Sequence, residues 1–540
     1  MFALAISILC LVTSQNPTVT NHEADTDRIF STFSDSIQPG CAVGVFKGGS
    51  VLFGKGYGYR DLGHSLPIDA DTVFSIESAS KQFTAACVQL LVKDKRLNWS
   101  DDIRRYIPEL RARRERISLD ELVHHTSGLM DCTLLLELEG SSMHEPVTLA
   151  EMIKALNAVP LSFPPKTRYS YTNTGFILLA EVVSRVTGKS LGVFADERIF
   201  KPLGMSRTWI VSHNLAPGDN LANGYQKNGS DFQQLINKNS IVGSRGVMTT
   251  VRDLAKWDDE LFTGHVLGKD VSNALVEPAK LKNQFVTSYG RGVMIGSFRG
   301  LPAYRHDGGN DDFSAEFVRV PALRASVAVL ANRGDINPTN LAGALFVTWF
   351  GDLAPSPKAT VNVTVPEADR LKLEGYYVTK GDGEIWRVDA TKTGLRMTSI
   401  EEGSDVIEPA SLNEFRSMKR GEFNLTFITK DGKIGAATRL VGKDIQHLER
   451  LEDWRPAPND LMRYGGNYVC EGLPIRIRIT QVDKSIRAEV VGATSVIELT
   501  PVSSNRFISD SFSLEWKDRD ILILSHMRAV GLRFHRAPKV

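Results

Sequence analysis

Between residues 81 and 91 the apolar positions fall at Phe83, Ala86, Cys87, Leu90 and Leu91, the i, i+3, i+4, i+7, i+8 spacing of one helical face, which predicts a buried helix there. A second apolar block over 176–183 follows the polar stretch 168–175 and reads as another helix. Capping-box spacings at Ser118/Glu121, Thr148/Glu151 and Thr250/Asp253 mark further helix starts. On either side of this helical middle the period changes. Residues 42–46 and 51–53, joined at Gly48-Gly49, read as a hairpin; 313–320 is strand-like, and 325–330 is a short apolar run fit for a buried strand. Strands from both ends of one region with helices inserted between them predict an α+β domain over residues 25–350, an antiparallel sheet carrying helices.

Residues 351–358, rich in Pro, Gly and Ser, begin a linker assigned to 351–365. Beyond it the helical period is lost and an internal repeat emerges. Gly375-Tyr376-Tyr377-Val378 recurs as Gly466-Asn467-Tyr468-Val469, Trp386-Arg387-Val388 as Ile477-Arg478-Ile479, and Leu395-Arg396-Met397 as Ile486-Arg487-Ala488, all at an offset of 91 (375 to 466). Asn413-Glu414-Phe415 and Phe423-Asn424-Leu425 recur with small shifts at Asn505-Arg506-Phe507 and Phe512-Ser513-Leu514. Short strands closely punctuated by turn residues predict two small antiparallel β-barrels, over 366–455 and 456–540.

At 540 residues, two or three domains are expected. The 64 basic and 63 acidic side chains give a net charge of +1, no reason to expect nucleic acid or an anionic membrane surface, so partners are expected to be small molecules or short peptides. Five cysteines show neither Cys-x-x-Cys nor zinc spacing, so neither metal nor cofactor is implied. Cys87 falls on the apolar helical stripe. The apolar run 1–12, followed by Thr13-Ser14, is too short to span a bilayer and reads as a signal peptide over 1–14. That reading predicts a secreted or periplasmic enzyme with no integral membrane segment in the mature chain and four cysteines, as free thiols or disulfides. Oligomerisation is left open.

Ser78 and Lys81, three apart at the head of the first helix, place an amine beside a hydroxyl, and a desolvated amine can take a serine proton. The nearby helix terminus adds a positive field where an oxyanion would form. The loop Tyr171-Thr172-Asn173 can carry a phenol and an amide into the same cleft, where a Lys81 ammonium would favour the phenolate. His306-Asp307-Gly308-Gly309 precedes the strand at 313–320, and glycines there let a substrate backbone approach closely. His124 and His125 read as packing residues and Asp307 as structural.

The ordered set Ser78-x-x-Lys81, Tyr171-x-Asn173 and His306-x-Gly308, with 125–129 and 246–255 in support, resembles the serine β-lactamase and penicillin-binding protein superfamily in its class C-like branch. The resemblance implies Ser78 as nucleophile, Lys81 and Tyr171 as coupled base, and Asn173 as ligand of a substrate amide. It implies an oxyanion hole from the backbone N–H groups of Ser78 and Gly309, walled by His306. Histidine stands where the β-lactamase pattern has lysine, which weakens a penicillinase reading; Arg245 or Arg305 could supply the missing charge. With two barrels attached, the architecture is similar to bacterial D-aminopeptidase, in which a loop of the last barrel selects for a free substrate amine. Asp483, Asp510, Asp518 and Asp520 are the acidic candidates for that contact. The resemblance thus implies a serine hydrolase acting on D-amino-acid peptides, with a carboxylesterase, a D,D-peptidase or β-lactamase, and a non-catalytic penicillin-binding sensor as alternatives.

Overall fold

The computed structural model describes residues 17–538 apart from 143, 212–219, 240, 356–362 and, in the C-terminal region, 381–383, 401–402, 418–422, 431–432, 442–443, 453, 492–495, 510 and 527. The expected leader at 1–14 and part of the expected linker lie outside the described residues.

An antiparallel sheet of six strands organises the N-terminal region in the spatial order Met294–Phe298, Leu301–Gly309, Ser314–Val320, Ala325–Ala331, Cys41–Lys47, Ser50–Tyr57. The two ends of the region meet at its centre, with Cys41 opposite Ala331 and Lys47 opposite Ala325. The first hairpin turns on Gly48 and Gly49, both left-handed at φ 58° and 86°, the twist that suits a two-residue turn. Both faces of the sheet are covered. Cys41, Val43, Val45, Val327 and Val329 pack against the helices Pro17–Phe30 and Pro338–Phe350, while Ala42, Phe46, Ala328 and Leu330 face the helical body. Burial on both faces is why the strand at Ala325–Ala331 is apolar apart from Ser326, whose hydroxyl donates to Asp258 (2.7 Å).

The helical body holds Lys81–Lys93 against Thr174–Thr187, as the apolar stripes require. Ser118 and Thr148 form complete capping boxes with Glu121 and Glu151. Thr250 accepts from the Asp253 N–H (3.1 Å) at the head of Val251–Thr263, but the Asp253 carboxylate turns to the Arg207 N–H (2.8 Å) instead of closing the box.

The repeat is two closed eight-stranded barrels, Gly375–Thr379 to Asp444–Arg450 and Gly466–Cys470 to Ala529–Arg536. Each closes by pairing its first strand with its last, Tyr377 opposite Arg450 and Tyr468 opposite Arg536. The offset of the sequence repeat holds for individual hydrogen bonds: the Tyr377 hydroxyl donates to the Leu373 carbonyl (2.8 Å) and the Tyr468 hydroxyl to the Tyr464 carbonyl (2.9 Å). Inside the first barrel lies a core of its own, built from Trp386, Met397, Phe415, Leu425 and others. The core of the second barrel instead runs on into the helical body, and Gly472 closes so tightly on the Ala158 carbonyl that a Cβ there would come within 2.1 Å. Cys41, Cys87, Cys132 and Cys470 are buried free thiols. Among the described residues no helix is long and apolar enough to cross a membrane.

Candidate active site

Ser78 sits in a 3-10 turn, Glu77–Ser80, and the α-helix proper begins at Lys81. The residue before the serine, Glu77, is held at φ 43°, a conformation that costs energy for a side chain with a Cβ, and its carboxylate is fixed by the Ser75 hydroxyl (2.7 Å). Lys81 is fully buried. Its Nζ lies 3.0 Å from Ser78 Oγ, 3.0 Å from Asn173 Oδ1 and 2.9 Å from the Ser244 carbonyl, over the ring of Tyr171 at 4.8 Å. Burial holds its pKa well below the usual lysine range; the neighbouring charges of Arg528 and Arg245 push the same way, against Asp131 and Glu77. A neutral amine has two N–H groups and one lone pair. The Asn173 and Ser244 oxygens can only accept, so they take the two N–H groups and leave the lone pair for the Ser78 hydroxyl.

Tyr171 lies within a ring cluster, with centroids at 4.4 Å from His125, 6.2 Å from Tyr289 and 6.3 Å from His306. Burial raises its pKa, opposed by a hydrogen bond with Ser78 and the charge of Arg528. The phenol therefore keeps its proton, which corrects the expectation of a phenolate stabilised by a Lys81 ammonium: the same burial that lowers the Lys81 pKa also disfavours the phenolate. Asn173 offers its Oδ1 to Lys81 and its backbone N–H to Asp131 (2.6 Å), while its Nδ2 makes no hydrogen bond among the described residues.

His306 is buried on the strand Leu301–Gly309, its pKa pulled down to about 4 chiefly by burial, so the ring is neutral at pH 7. Nδ1 lies 2.6 Å from the Asp307 carbonyl, which can only accept, so Nδ1 carries the proton and Nε2 accepts from the Tyr289 hydroxyl at 2.9 Å. Both nitrogens are engaged. The ring therefore has no N–H left over for another acceptor. Gly308 is required by close approach, since a Cβ would fall 2.1 Å from the Ile76 carbonyl, just ahead of the turn that carries Ser78. At Gly309 a Cβ would meet nothing within 4 Å. The strand Met294–Phe298 pairs only as far as Arg305, so 306–309 present an unpaired outer edge to the cleft.

Of the two arginines considered from sequence, Arg305 is neutralised by Glu316 (2.5 Å) on the neighbouring strand, whereas Arg245, directly after Ser244, has no ion-pair partner among the described residues. Three residues at the site escaped the sequence reading. Asp131 is buried at the N-cap of Cys132–Leu138, where its carboxylate accepts from the N–H groups of Thr133 (3.0 Å), Leu134 (3.1 Å) and Asn173; an Asp before an apolar run is a cap signal that could have located it. Tyr289 and Arg528 carry no such signal. Arg528 lies between the last two strands of the second barrel, Ile521–His526 and Ala529–Arg536, and its carbonyl accepts from the Asp131 N–H (2.8 Å).

The barrel loop at the site therefore brings an arginine. Successive turns of an up-and-down barrel alternate between its ends, so the turns holding Asp483, and Asp518 with Asp520, lie at the end opposite Arg528. They are removed from the cleft, which corrects their candidacy for an amine contact; Asp510 lies outside the described residues.

A serine facing a buried neutral amine, with a tyrosine and an asparagine from a second loop and a glycine-bearing strand edge opposite, defines the serine hydrolases of penicillin-recognising fold. A family profile described as beta-lactamase matches residues 26–347, and the chain belongs to that family. It is 28% identical to unguisins hydrolase ungD' of Aspergillus campestris over 363 residues, 62% of this chain and 66% of that protein, so it covers a little under two thirds of that relative's length. It is 27% identical to the D-aminopeptidase of Brucella anthropi over 408 residues, 71% of this chain and 76% of that one. In fold it is similar to the octameric penicillin-binding protein homologue from Pyrococcus abyssi, with a TM-score of 0.55 and 20% identity, over 80% of this chain and 100% of that one.

Proposed function

We propose that the enzyme hydrolyses amide bonds of short peptides containing D-residues through an acyl-Ser78 intermediate. The observation that carries this reading is the Lys81 lone pair left facing the Ser78 hydroxyl at 3.0 Å. In acylation Ser78 Oγ attacks the carbonyl carbon as its proton passes to Lys81, and the backbone N–H groups of Ser78 and Gly309 receive the oxyanion. Collapse breaks the amide bond, and Tyr171, still protonated, is placed to pass a proton to the leaving nitrogen and recover one from Lys81. Water then takes the place of the leaving amine and attacks the acyl carbon as its proton passes to the same pair; the Ser78 Oγ–acyl bond breaks, the pair returns the proton to Ser78 Oγ, and the acid leaves. Asn173 Nδ2 is free to hold a substrate amide carbonyl while its Oδ1 fixes the base. The D-aminopeptidase likeness supports D-residue peptides. A penicillinase is disfavoured because His306 has neither charge nor a free proton to offer.

The test is covalent labelling together with turnover. A fluorophosphonate probe is expected to label the wild type and leave Ser78→Ala unlabelled, with turnover of a D-alanyl anilide falling by about three orders of magnitude or more. Labelling retained in Ser78→Ala would name the wrong serine. Rates on the same anilide, a nitrophenyl ester and a chromogenic cephalosporin rank the amidase, esterase and β-lactamase readings.

A further inference from the structure

The turn that carries Arg528 is docked at two points on the helical body: the Arg528 carbonyl on the Asp131 N–H (2.8 Å), and the Val530 N–H on Ser162 Oγ (3.2 Å). Asp131 in turn holds the Asn173 N–H, and Asn173 holds Lys81, so the barrel turn is two residues removed from the base. Arg245 reaches the same place from another direction, next to the Ser244 carbonyl that Lys81 also binds.

Other arginines around this body are matched: Arg305 by Glu316, Arg319 by Asp258, Arg291 by Asp120 and Glu277. Among the described residues Arg245 and Arg528 are not, and Arg528 Nε is buried without a hydrogen-bond partner there. Both charges act on Lys81. Of the carboxylates in their surroundings, Asp131 is already occupied by three backbone N–H groups, and Glu137 on the helix Cys132–Leu138 feels both guanidinium charges without forming an ion pair with either. A guanidinium presents a planar fork of donors that fits a carboxylate, and among the described residues no ion-pair partner fills either fork.

We propose that Arg245 and Arg528 form an anion subsite of the catalytic cleft, which selects peptide substrates bearing a free carboxylate over those bearing a free amine, the second barrel supplying one half of it. The subsite rests on Ser78 being the nucleophile, and the experiment separates the two. Full-length enzyme is assayed on matched pairs: N-acetyl-D-alanyl-D-alanine against its C-terminal carboxamide, and the succinyl, acetyl and unacylated forms of D-alanine anilide. The two sets distinguish a carboxylate on the leaving side from one on the acyl side.

In at least one set the carboxylate member is expected to lead its neutral counterpart by about tenfold or more in kcat/KM, mainly through KM, and the unacylated anilide to be slowest. Raising the salt concentration narrows the gap. In Arg528→Gln and Arg245→Gln the ratio falls towards one, and Arg528→Lys restores part of it. Equal rates for charged and neutral members in both sets overturn the subsite, as does a preference for the unacylated anilide. A ratio unchanged in Arg528→Gln while the melting temperature drops makes the arginine a tie between barrel and body, and also overturns it. Loss of the nucleophile reading shows separately, as labelling retained in Ser78→Ala.

Discussion

At the scale of single residues, the site is governed by how burial shifts proton affinity. Lys81 works as a base only when unprotonated, and burial lowers its pKa, so the rate is expected to fall as pH drops through the apparent pKa of the Lys81–Tyr171 pair and to reach its plateau below the ordinary lysine value of about 10.4. A rate profile of kcat/KM checks this: an acidic limb centred near the ordinary lysine value would mean that the amine is solvated. Tyr171→Phe keeps the ring but removes the proton relay, and is expected to slow turnover by about a hundredfold or more while leaving thermal stability nearly unchanged. Near-normal rates in that variant would remove the phenol from the mechanism. His306 has a different part. With one nitrogen on the Asp307 carbonyl and the other on Tyr289, it stiffens the wall opposite the nucleophile.

Among elements, the decisive contacts are those that bring three separate segments to one point. The strand Leu301–Gly309 approaches the nucleophile turn through Gly308. Gly308→Ala must force the strand away from the Ile76 carbonyl, with an expected loss of about 1–3 kcal/mol in denaturant unfolding and a fall in acylation rate from a widened oxyanion hole. Wild-type stability in that variant would show that the strand has room to move. Asp131 performs the corresponding task for the loop at 171–173. Asp131→Ala leaves three buried N–H groups without their acceptor, and is expected to cost about 2 kcal/mol or more and to slow acylation through displacement of Asn173. If stability dropped with acylation intact, Asn173 would not depend on this carboxylate.

For the whole molecule, the two barrels are alike in topology and different in attachment. The first has a closed core of its own, whereas the core of the second continues into the helical body; a small cluster of Ile385, Val502 and Ile508 joins barrel to barrel. Calorimetry is expected to show the second barrel melting with the catalytic body in one cooperative transition and the first barrel as a separable unit. A chain ending at residue 455 uncovers the apolar side of that shared core and is expected to bind a hydrophobic dye and melt at lower temperature. A truncated chain as stable as the full one would mean that the shared core contributes little. The second barrel thus acts on the site both as packing and through the turn that carries Arg528.

The amino-acid sequence by itself determined the layout: the sheet built from both ends of its region, Ser78 at the head of a helix with an amine three residues on, and a repeat whose offset of 91 survives down to the hydrogen bond of each tyrosine with the turn before it. These are features of local period and fixed spacing, which one stretch of chain displays on its own. Tertiary structure alone decided the protonation of Lys81 and Tyr171, the engagement of both nitrogens of His306, and which arginines keep their charge unpaired at the cleft. Those depend on desolvation and on partners far apart along the chain, such as Asp131 and Arg528, or Arg305 and Glu316 across a strand pair. The chain displays the charge of each arginine; only its folded surroundings show whether a carboxylate has already taken it.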